Sequence, residues 1–582
     1  MRLRELTIRN FRKIQELKVI FPAGLTVIVG ENNSGKTAII DALRLMLFSS
    51  RDFDALRLNE DDFRIGTDYA PIEISCVFGD AQDEDEVHYQ ECLVEIGNGK
   101  FDIRLNARVQ FNKTTRRASV KMWGGETEGG SLPSTTYDHL TAVYLQPLRD
   151  PESGLRPSRN SQVAKLLDRV TNESERAEFV TIAQEANKQI RELKPVERAR
   201  DDINKQMLAI AGEELSQRTE LIFTDPTFHR IIANLQPEIE GLPFSLNGLG
   251  YNNLIFTSAT LGTLRRSPQF SFRSILVEEP EAHLHPQLQV LLLNYFATVI
   301  ADKEGSEVQV IASSHSPILA SQAPIDSIVV VQENAGQVAA LSVGAIEFDA
   351  AMKKKLQRFL DATKAELFFA RRILMVEGIA EALLLPVLAR AMGGDLKKSA
   401  VTIVNADGIN FNCFLPLFGQ DKISVPVVVL TDGDAPKIGD PCSATATELK
   451  ARETDIPNLR VERSEITFEH EMARSPGLLP LMLEALDALH PNVAASLKTS
   501  IDALSTDDDK ADLFYSQFRT TVKSKGIFAQ ELAARIENAN LEGASVPEYI
   551  QRALRFLGVI AGEDDDEQSG DSSPTDSEPV AD

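Results

Sequence analysis

The chain is expected to fold as an α/β protein with two sheet-containing modules in series, the first interrupted by a helical segment. Three observations point there. An apolar strand pattern runs into a glycine-containing loop and a helical pattern before residue 50, strands and helices alternate again after residue 240, and a second alternating series starts near residue 372. At 582 residues with 43% apolar content, the chain is long enough for two or three buried cores.

In chain order, LRELTIRNF and KVIFPAGLTVIVG alternate as short strands, and the second leads through a loop into the helical pattern TAIIDALRLMLF. From about 155 to 235 the pattern turns helical and charged, which predicts a helical insertion of the kind that mediates dimerisation. SILVEEP, HPQLQVLLLNYFATVI, VQVIASSHSP and SIVVVQE then follow in α/β rhythm, so the first module is expected to span 1–345. A helical linker over 346–368 leads to RRILMVEG, SAVTIVNADG and VPVVVLTDGDAP, a second module over 369–560. The tail, 561–582, is acidic and rich in Ser and Pro, and is expected to be disordered because it cannot bury enough surface to offset its ordering entropy.

The formal charge of −25 argues only weakly against a nucleic-acid partner, because nine acids and no Lys or Arg fall within 563–582. Cys76, Cys92, Cys413 and Cys442 are too dispersed for a zinc site or a disulfide framework, which fits a reducing cytoplasm. No leader pattern opens the chain, and no apolar run approaches the ~20 residues of a membrane span.

Gly30-Glu31-Asn32-Asn33-Ser34-Gly35-Lys36-Thr37 fits G-x-x-x-x-G-K-S/T between a strand and a helix. The loop's N–H groups can cradle phosphates, Lys36 can neutralise the β/γ oxygens, and Thr37 can ligate Mg²⁺ of a bound ATP. Downstream, SILVEEPE ends a buried strand in consecutive carboxylates, as a Walker B strand does. Glu278 is expected to hold the magnesium through water and Glu279 to polarise the attacking water. His315, after the strand VQVIASS, can reach a γ-phosphate, and Gln146 in VYLQPLRD can sense metal and phosphate, while Arg149 can pair with a carboxylate or a phosphate. TIRNFR, GENNSGKT, EEPEAHLHP and SSHSP together resemble the ABC ATPase heads of the SMC, RecF and Rad50 type. That resemblance implies that Ser245, Gly248 and Gly250, in SLNGLG, form the signature segment that completes another subunit's ATP site. The segment departs from the usual LSGGQ-like form, and the Walker B acid is Glu where the type has Asp.

In the second module Glu377 closes the strand ILMV, Glu381 opens the next helix, and Asp432-Gly433-Asp434 ends the strand VPVVVL. Carboxylates meeting at two strand ends repel one another unless hard cations sit between them. Glu469 and Glu471 in ITFEHEM add to the acidic set, and the pattern resembles the Toprim fold of topoisomerases, primases and some nucleases. A topoisomerase or primase needs further modules that find no room here, whereas hydrolysis needs only water. Two metals can activate that water and stabilise the leaving oxygen, with Lys525 offsetting charge in the transition state.

The order of modules resembles the overcoming-lysogenisation-defect (OLD) family of nucleases. That resemblance implies divalent-metal ligands at Glu377, Glu381, Asp432, Asp434, Glu469 and Glu471, a catalytic Lys525, and Mg²⁺- or Mn²⁺-dependent nicking or cutting of DNA. It also implies homodimers or higher homo-oligomers and, in several relatives, defence against phage. Two other readings are a DNA-binding ATPase clamp and a nucleotide-controlled scaffold for a defence partner, neither cutting DNA itself.

Overall fold

The computed structural model describes residues 1–561 except 49–55, 130, 131, 133, 147–153, 222–225, 267–269, 302–307, 335, 409, 540 and 542–545. The acidic tail from residue 562 and Arg149 therefore lie outside the described residues. By compactness the chain divides into two units. One comprises Met1–Glu16, Phe21–Val27 and Thr37–Ser314; the other comprises Leu17–Ile20, Ile28–Lys36 and the chain from His315 onward.

The strand Leu25–Val29 contributes residues to both units. It is buried at every position, the pattern of a strand covered on both faces. In the second unit Ile328–Asn334 pairs antiparallel with Gln337–Ser342, and in the first Gln309–Ser314, Phe272–Glu278 and Leu140–Leu145 are consecutive strands of one sheet. In the first unit, Phe272–Glu278 pairs in parallel with Gln309–Ser314, setting Glu278 opposite Ser313. On its other side it pairs in parallel with Leu140–Leu145, setting Val277 opposite Leu145. This register delivers Glu278, Ser313 and the residue after Leu145, Gln146, to one edge of the sheet.

The first unit also holds an antiparallel sheet over much of residues 2–124, which the sequence patterns did not predict beyond its first two strands. Its order is Ile14–Ile20, Arg2–Phe11, Ile72–Gly79, Lys100–Asn112, Leu93–Gly97, and Arg117–Gly124 also pairs with Lys100–Asn112. Buried Gln309 ties this sheet to the strand Gln309–Ser314: its Oε1 accepts the Leu3 N–H at 2.9 Å and its Nε2 donates to the Leu3 carbonyl at 3.0 Å. One side-chain amide thus satisfies both backbone groups of Leu3.

Within the expected insertion, helices span Gln162–Val170, Glu173–Arg191, Lys194–Leu215 and Phe228–Ile232. The two long ones bury no residue, and Ile182, Ile203, Leu208 and Ile210 on them are exposed.

In the second unit four parallel strands run Val401–Asn405, Arg372–Val376, Val427–Thr431, Leu459–Arg463. Met375 lies opposite Val429, so Glu377 and Asp432, just beyond their strands, emerge side by side at the carboxyl edge. Helices Ile379–Ala391 and Lys525–Asn538 pack together over a large apolar core that includes Leu384, Leu388, Phe528 and Leu532. The expected linker contains the helix Ala350–Phe359 and a 3₁₀ segment, Lys364–Phe369. Among the described residues no helix is long and apolar enough to cross a membrane.

Gln309→Leu keeps the bulk but leaves Leu3 without partners. It is expected to cost about 1–3 kcal/mol per stranded group, read as an earlier unfolding transition in a urea titration.

Candidate functional site

The glycine-containing loop is folded around its own lysine. Gly30 has φ +150°, and a Cβ there would lie 2.1 Å from the Val331 carbonyl oxygen, so no other residue fits. Asn33 (φ +62°) and Gly35 (φ +109°) supply the left-handed turns that bring the chain to the helix Lys36–Leu47. Lys36 is 4% exposed, and its Nζ donates to the carbonyls of Gly30 at 2.8 Å and Glu31 at 2.6 Å and to Ser34 Oγ at 3.4 Å. These donors can turn to phosphate oxygens beside the N–H groups of the helix start, which lie before the first intrahelical bond. A cavity of about 480 Å³ is lined by Gly30, Glu31, Asn32, His315 and Arg371, among others. Across it the Arg371 Nε donates to both Glu31 oxygens, at 2.9 and 2.8 Å.

In the first unit, Glu278 is 4% exposed. Its Oε1 accepts the Tyr144 hydroxyl at 2.9 Å and its Oε2 the Thr37 hydroxyl at 3.4 Å. Burial raises the Glu278 pKa, and Asp41 adds to the rise, while the Tyr144 and Thr37 hydrogen bonds offset part of it. A carboxylate and a hydroxyl that face each other in a buried site fit a magnesium ion, which Thr37 would ligate and Glu278 would hold through water. Glu279 is half-buried with φ +46°, fixed by its N–H to the Ser313 carbonyl at 2.9 Å. Gln146 is exposed just past its strand.

Gly248 caps the start of the helix Leu249–Arg265, and the backbone of Ser245 lies in the preceding turn, Phe244–Leu246. Gly250 is required sterically, since a Cβ would meet the His283 carbonyl oxygen at 2.5 Å. Sequence reasoning missed Tyr144. The available signal was its place two residues before Gln146, hence on the same face of a strand.

In the second unit, Glu377 Oε1 accepts the Asp432 N–H at 2.9 Å and the Thr431 hydroxyl. Asp432 Oδ1 accepts the Phe468 N–H at 2.8 Å and the Ser464 hydroxyl at 3.3 Å. Lys525, first residue of its helix, reaches Glu469 Oε1 at 2.8 Å, whereas buried Glu469 Oε2 has no hydrogen-bond partner among the described residues. Burial drives the Asp432 pKa well above the usual carboxylate range, and Glu377, Glu469 and Glu381 push it further. Burial also raises Glu381, with Glu469 and Glu377 adding and Lys525 opposing. For Lys525, burial alone lowers the pKa, but Glu469, Asp432 and Glu381 outweigh it and hold the ammonium charged. Five of the expected residues are thereby brought together.

Asp434 and Glu471 stand differently. Asp434 is exposed at φ +51°, with its N–H on the Ile466 carbonyl at 2.8 Å, and it is not among the charges acting most on Asp432. Glu471 is half-buried and accepts the Glu465 N–H at 3.1 Å. Gly433 between the two aspartates is required, because a Cβ would lie 2.3 Å from the Ser464 carbonyl oxygen. Buried Tyr549, unforeseen in the sequence, has its pKa raised by burial first and then by Asp432, Glu381, Glu471 and Glu469.

Among the described residues no three His, Cys, Asp or Glu side chains close on one point as a cation cage. Like charges in a buried crevice hold each other apart, and hydroxyl, amide and ammonium donors occupy several of their oxygens. Even so, the unsatisfied Glu469 oxygen and the raised Asp432 pKa fit a divalent cation, which would satisfy the one and reverse the other.

A raised folded-state carboxyl pKa means that the folded form binds the proton more tightly than the unfolded form. Its stabilising effect is complete below the unfolded pKa and is lost as pH rises through the folded one. Asp432→Asn is therefore expected to raise the melting temperature in EDTA at neutral pH, by about 2–4 °C per kcal/mol relieved. The gain should vanish in acid, and calorimetry across pH checks both.

Residues 1–121 and 156–320 match the AAA ATPase domain model, and residues 368–434 match the model of the overcoming lysogenization defect protein-like TOPRIM domain. The OLD nuclease of Thermus scotoductus is 25% identical over 74% of this chain and 82% of its own length. Endonuclease GajA of Bacillus cereus (strain HuB5-5) is 23% identical over 91% of this chain and 92% of its own. The solved C-terminal region of the Burkholderia pseudomallei OLD protein aligns at 25% identity with TM-score 0.25, over 32% of this chain and 97% of that one. The chain thus joins an AAA ATPase domain to an OLD-like TOPRIM domain and is homologous to the OLD and GajA nucleases.

Proposed function

We propose that this chain is an ATP-controlled, divalent-metal-dependent DNA endonuclease that serves in defence against phage. The observation that carries the reading is the gathering of Glu377, Glu381, Asp432, Glu469 and Lys525 at one sheet edge, in a chain that also has a lysine-wrapped phosphate loop. An ATPase domain joined to a TOPRIM domain implies use of a nucleotide and a divalent metal. The finer assignments are two Mg²⁺ or Mn²⁺ ions held by Glu377, Glu381, Asp432, Asp434, Glu469 and Glu471. Bound there, such ions supply a hydroxide-like nucleophile and neutralise the leaving oxygen.

The residues of the chain do the rest. Thr431 and the Asp432 amide fix the Glu377 carboxylate, and the Phe468 amide and Ser464 fix Asp432, so both acids face the crevice without having to reorganise. Lys525, half-exposed and held charged by Glu469, can move its ammonium from that carboxylate onto a phosphodiester oxygen. At the nucleotide, Lys36 and the loop amides of Gly30–Thr37 grip the phosphates, Thr37 and Glu278 hold magnesium, and Glu279 orients water. His315 and Gln146 respond to the γ-phosphate. Ser245, Gly248 and Gly250 complete the ATP site of a second copy, with the exposed apolar residues of the long helices as its dimerisation surface.

The test is conversion of supercoiled plasmid by wild type, Asp432→Ala and Lys525→Ala in Mg²⁺, Mn²⁺ or EDTA, with and without ATP. Metal-dependent nicking or linearisation is expected for wild type, none for Asp432→Ala, and a fall of about 10²–10³ for Lys525→Ala. Intact plasmid in every lane beside normal ATPase activity would replace this reading with a DNA clamp or a scaffold. Lys36→Ala is expected to lose ATP hydrolysis, measured by phosphate release, and to melt lower than wild type because it strands the Gly30 and Glu31 carbonyls.

A further inference from the structure

The sequence motifs assign no part to Tyr144, yet it is the nearest support of the Walker B acid. It stands on the strand Leu140–Leu145, in parallel register with the strand Phe272–Glu278. Its hydroxyl donates to Glu278 Oε1 at 2.9 Å, while Glu278 Oε2 meets the Thr37 hydroxyl at 3.4 Å. The ring is itself held, with the Arg44 guanidinium 4.0 Å from its centre. Arg44 pairs with Asp41 at 2.7 Å, Asp41 with Arg12 at 2.8 Å, and Arg12 with Asp62 at 3.0 Å. A run of alternating charges thus braces the phenol whose hydroxyl donates to Glu278.

Glu278 is one methylene longer than the aspartate usual at this place, so it has one more torsion to fix before its oxygens point usefully. Two hydroxyls, one on each oxygen, fix it. Burial and the charge of Glu278 raise the Tyr144 pKa, so the phenol stays a donor at any working pH.

We propose that Tyr144 is a positioning residue of the nucleotide site: its hydroxyl holds the Glu278 carboxylate in the rotamer that turns Oε2 to Thr37, and so sets how tightly nucleotide-bound magnesium is held. The proposal rests on the reading of Glu278 as the magnesium acid. Donors that orient a metal-holding carboxylate in this way typically change metal affinity by 10–100-fold.

The experiment measures binding of a fluorescent, non-hydrolysable ATP analogue to the full chain across a Mg²⁺ titration and in EDTA. Tyr144→Phe keeps the ring over Arg44 and removes only the hydroxyl. It is expected to raise the half-saturating Mg²⁺ about tenfold, with metal-free affinity and melting temperature unchanged. In a Glu278→Gln background the same substitution is expected to add no further shift, because both changes act on one carboxylate. A wild-type Mg²⁺ dependence for Tyr144→Phe, or a full additional shift in the Glu278→Gln background, overturns the proposal. If Glu278→Gln itself leaves the Mg²⁺ dependence unchanged, the assignment of Glu278 fails instead. Should Tyr144→Phe melt lower, Tyr144→Met, which also lacks a donor, is titrated beside it; an equal loss in both supports the role, and wild-type Mg²⁺ dependence in either overturns it.

Discussion

A carboxylate taken out of water must be given donors or a cation, and this chain takes carboxylates out of water at two sheet edges. Both edges are the carboxyl ends of parallel strands, where side chains just past the last ladder hydrogen bond are forced into a common crevice. At Glu278 the compensation is a pair of hydroxyls; at Glu377 and Asp432 it is a hydroxyl and a backbone amide apiece. Neutral donors of this kind orient an acid without cancelling its charge, and the charge remains to attract a cation. Lys525 is the exception, a full positive charge laid on Glu469, and it is exposed enough to leave.

What could be read in the sequence was what lies contiguously in it. The phosphate loop is eight consecutive residues whose chemistry is mostly backbone, and the acids at Glu278, Glu377 and Asp432 each end an apolar run that announces a buried strand. Lys525 and Glu469 were found by chemistry and resemblance, and the structure sets them 2.8 Å apart although 56 positions separate them. Tyr144, Tyr549 and Ser464 stayed hidden because their relevance depends on register and helix packing between distant segments, and none has a residue type unusual for its element. The antiparallel sheet was missed after its second strand although its signal is contiguous: Lys100–Asn112 alternates polar and apolar residues along its whole length, and Ile72–Gly79 sets Ile72, Ile74, Cys76 and Phe78 on one face.

Glycine reads differently in the two signature positions. At Gly250 the residue is dictated by its own chain, through the close approach of the His283 carbonyl. At Gly248 nothing lies within 4 Å of where a Cβ would stand, so its own chain sets no such demand. A residue type shared with a motif can thus have a local packing reason that owes nothing to the ligand.

The contact between Glu31 and Arg371 is weak in itself, a pair two-thirds exposed on the arginine side, worth under about 1 kcal/mol and screened by salt. Its position decides what it joins. Glu31 belongs to the phosphate loop, and Arg371 immediately precedes the strand Arg372–Val376, whose far end carries Glu377. That strand is hydrogen-bonded on both sides and cannot shorten or bow without breaking ladders to its neighbours. It behaves as a strut of five residues, roughly 16 Å long, with one end tethered to the phosphate loop and the other at the acidic crevice. Whatever that tether could pass along the strand is bounded by its own strength, under about 1 kcal/mol or roughly fivefold in an equilibrium constant.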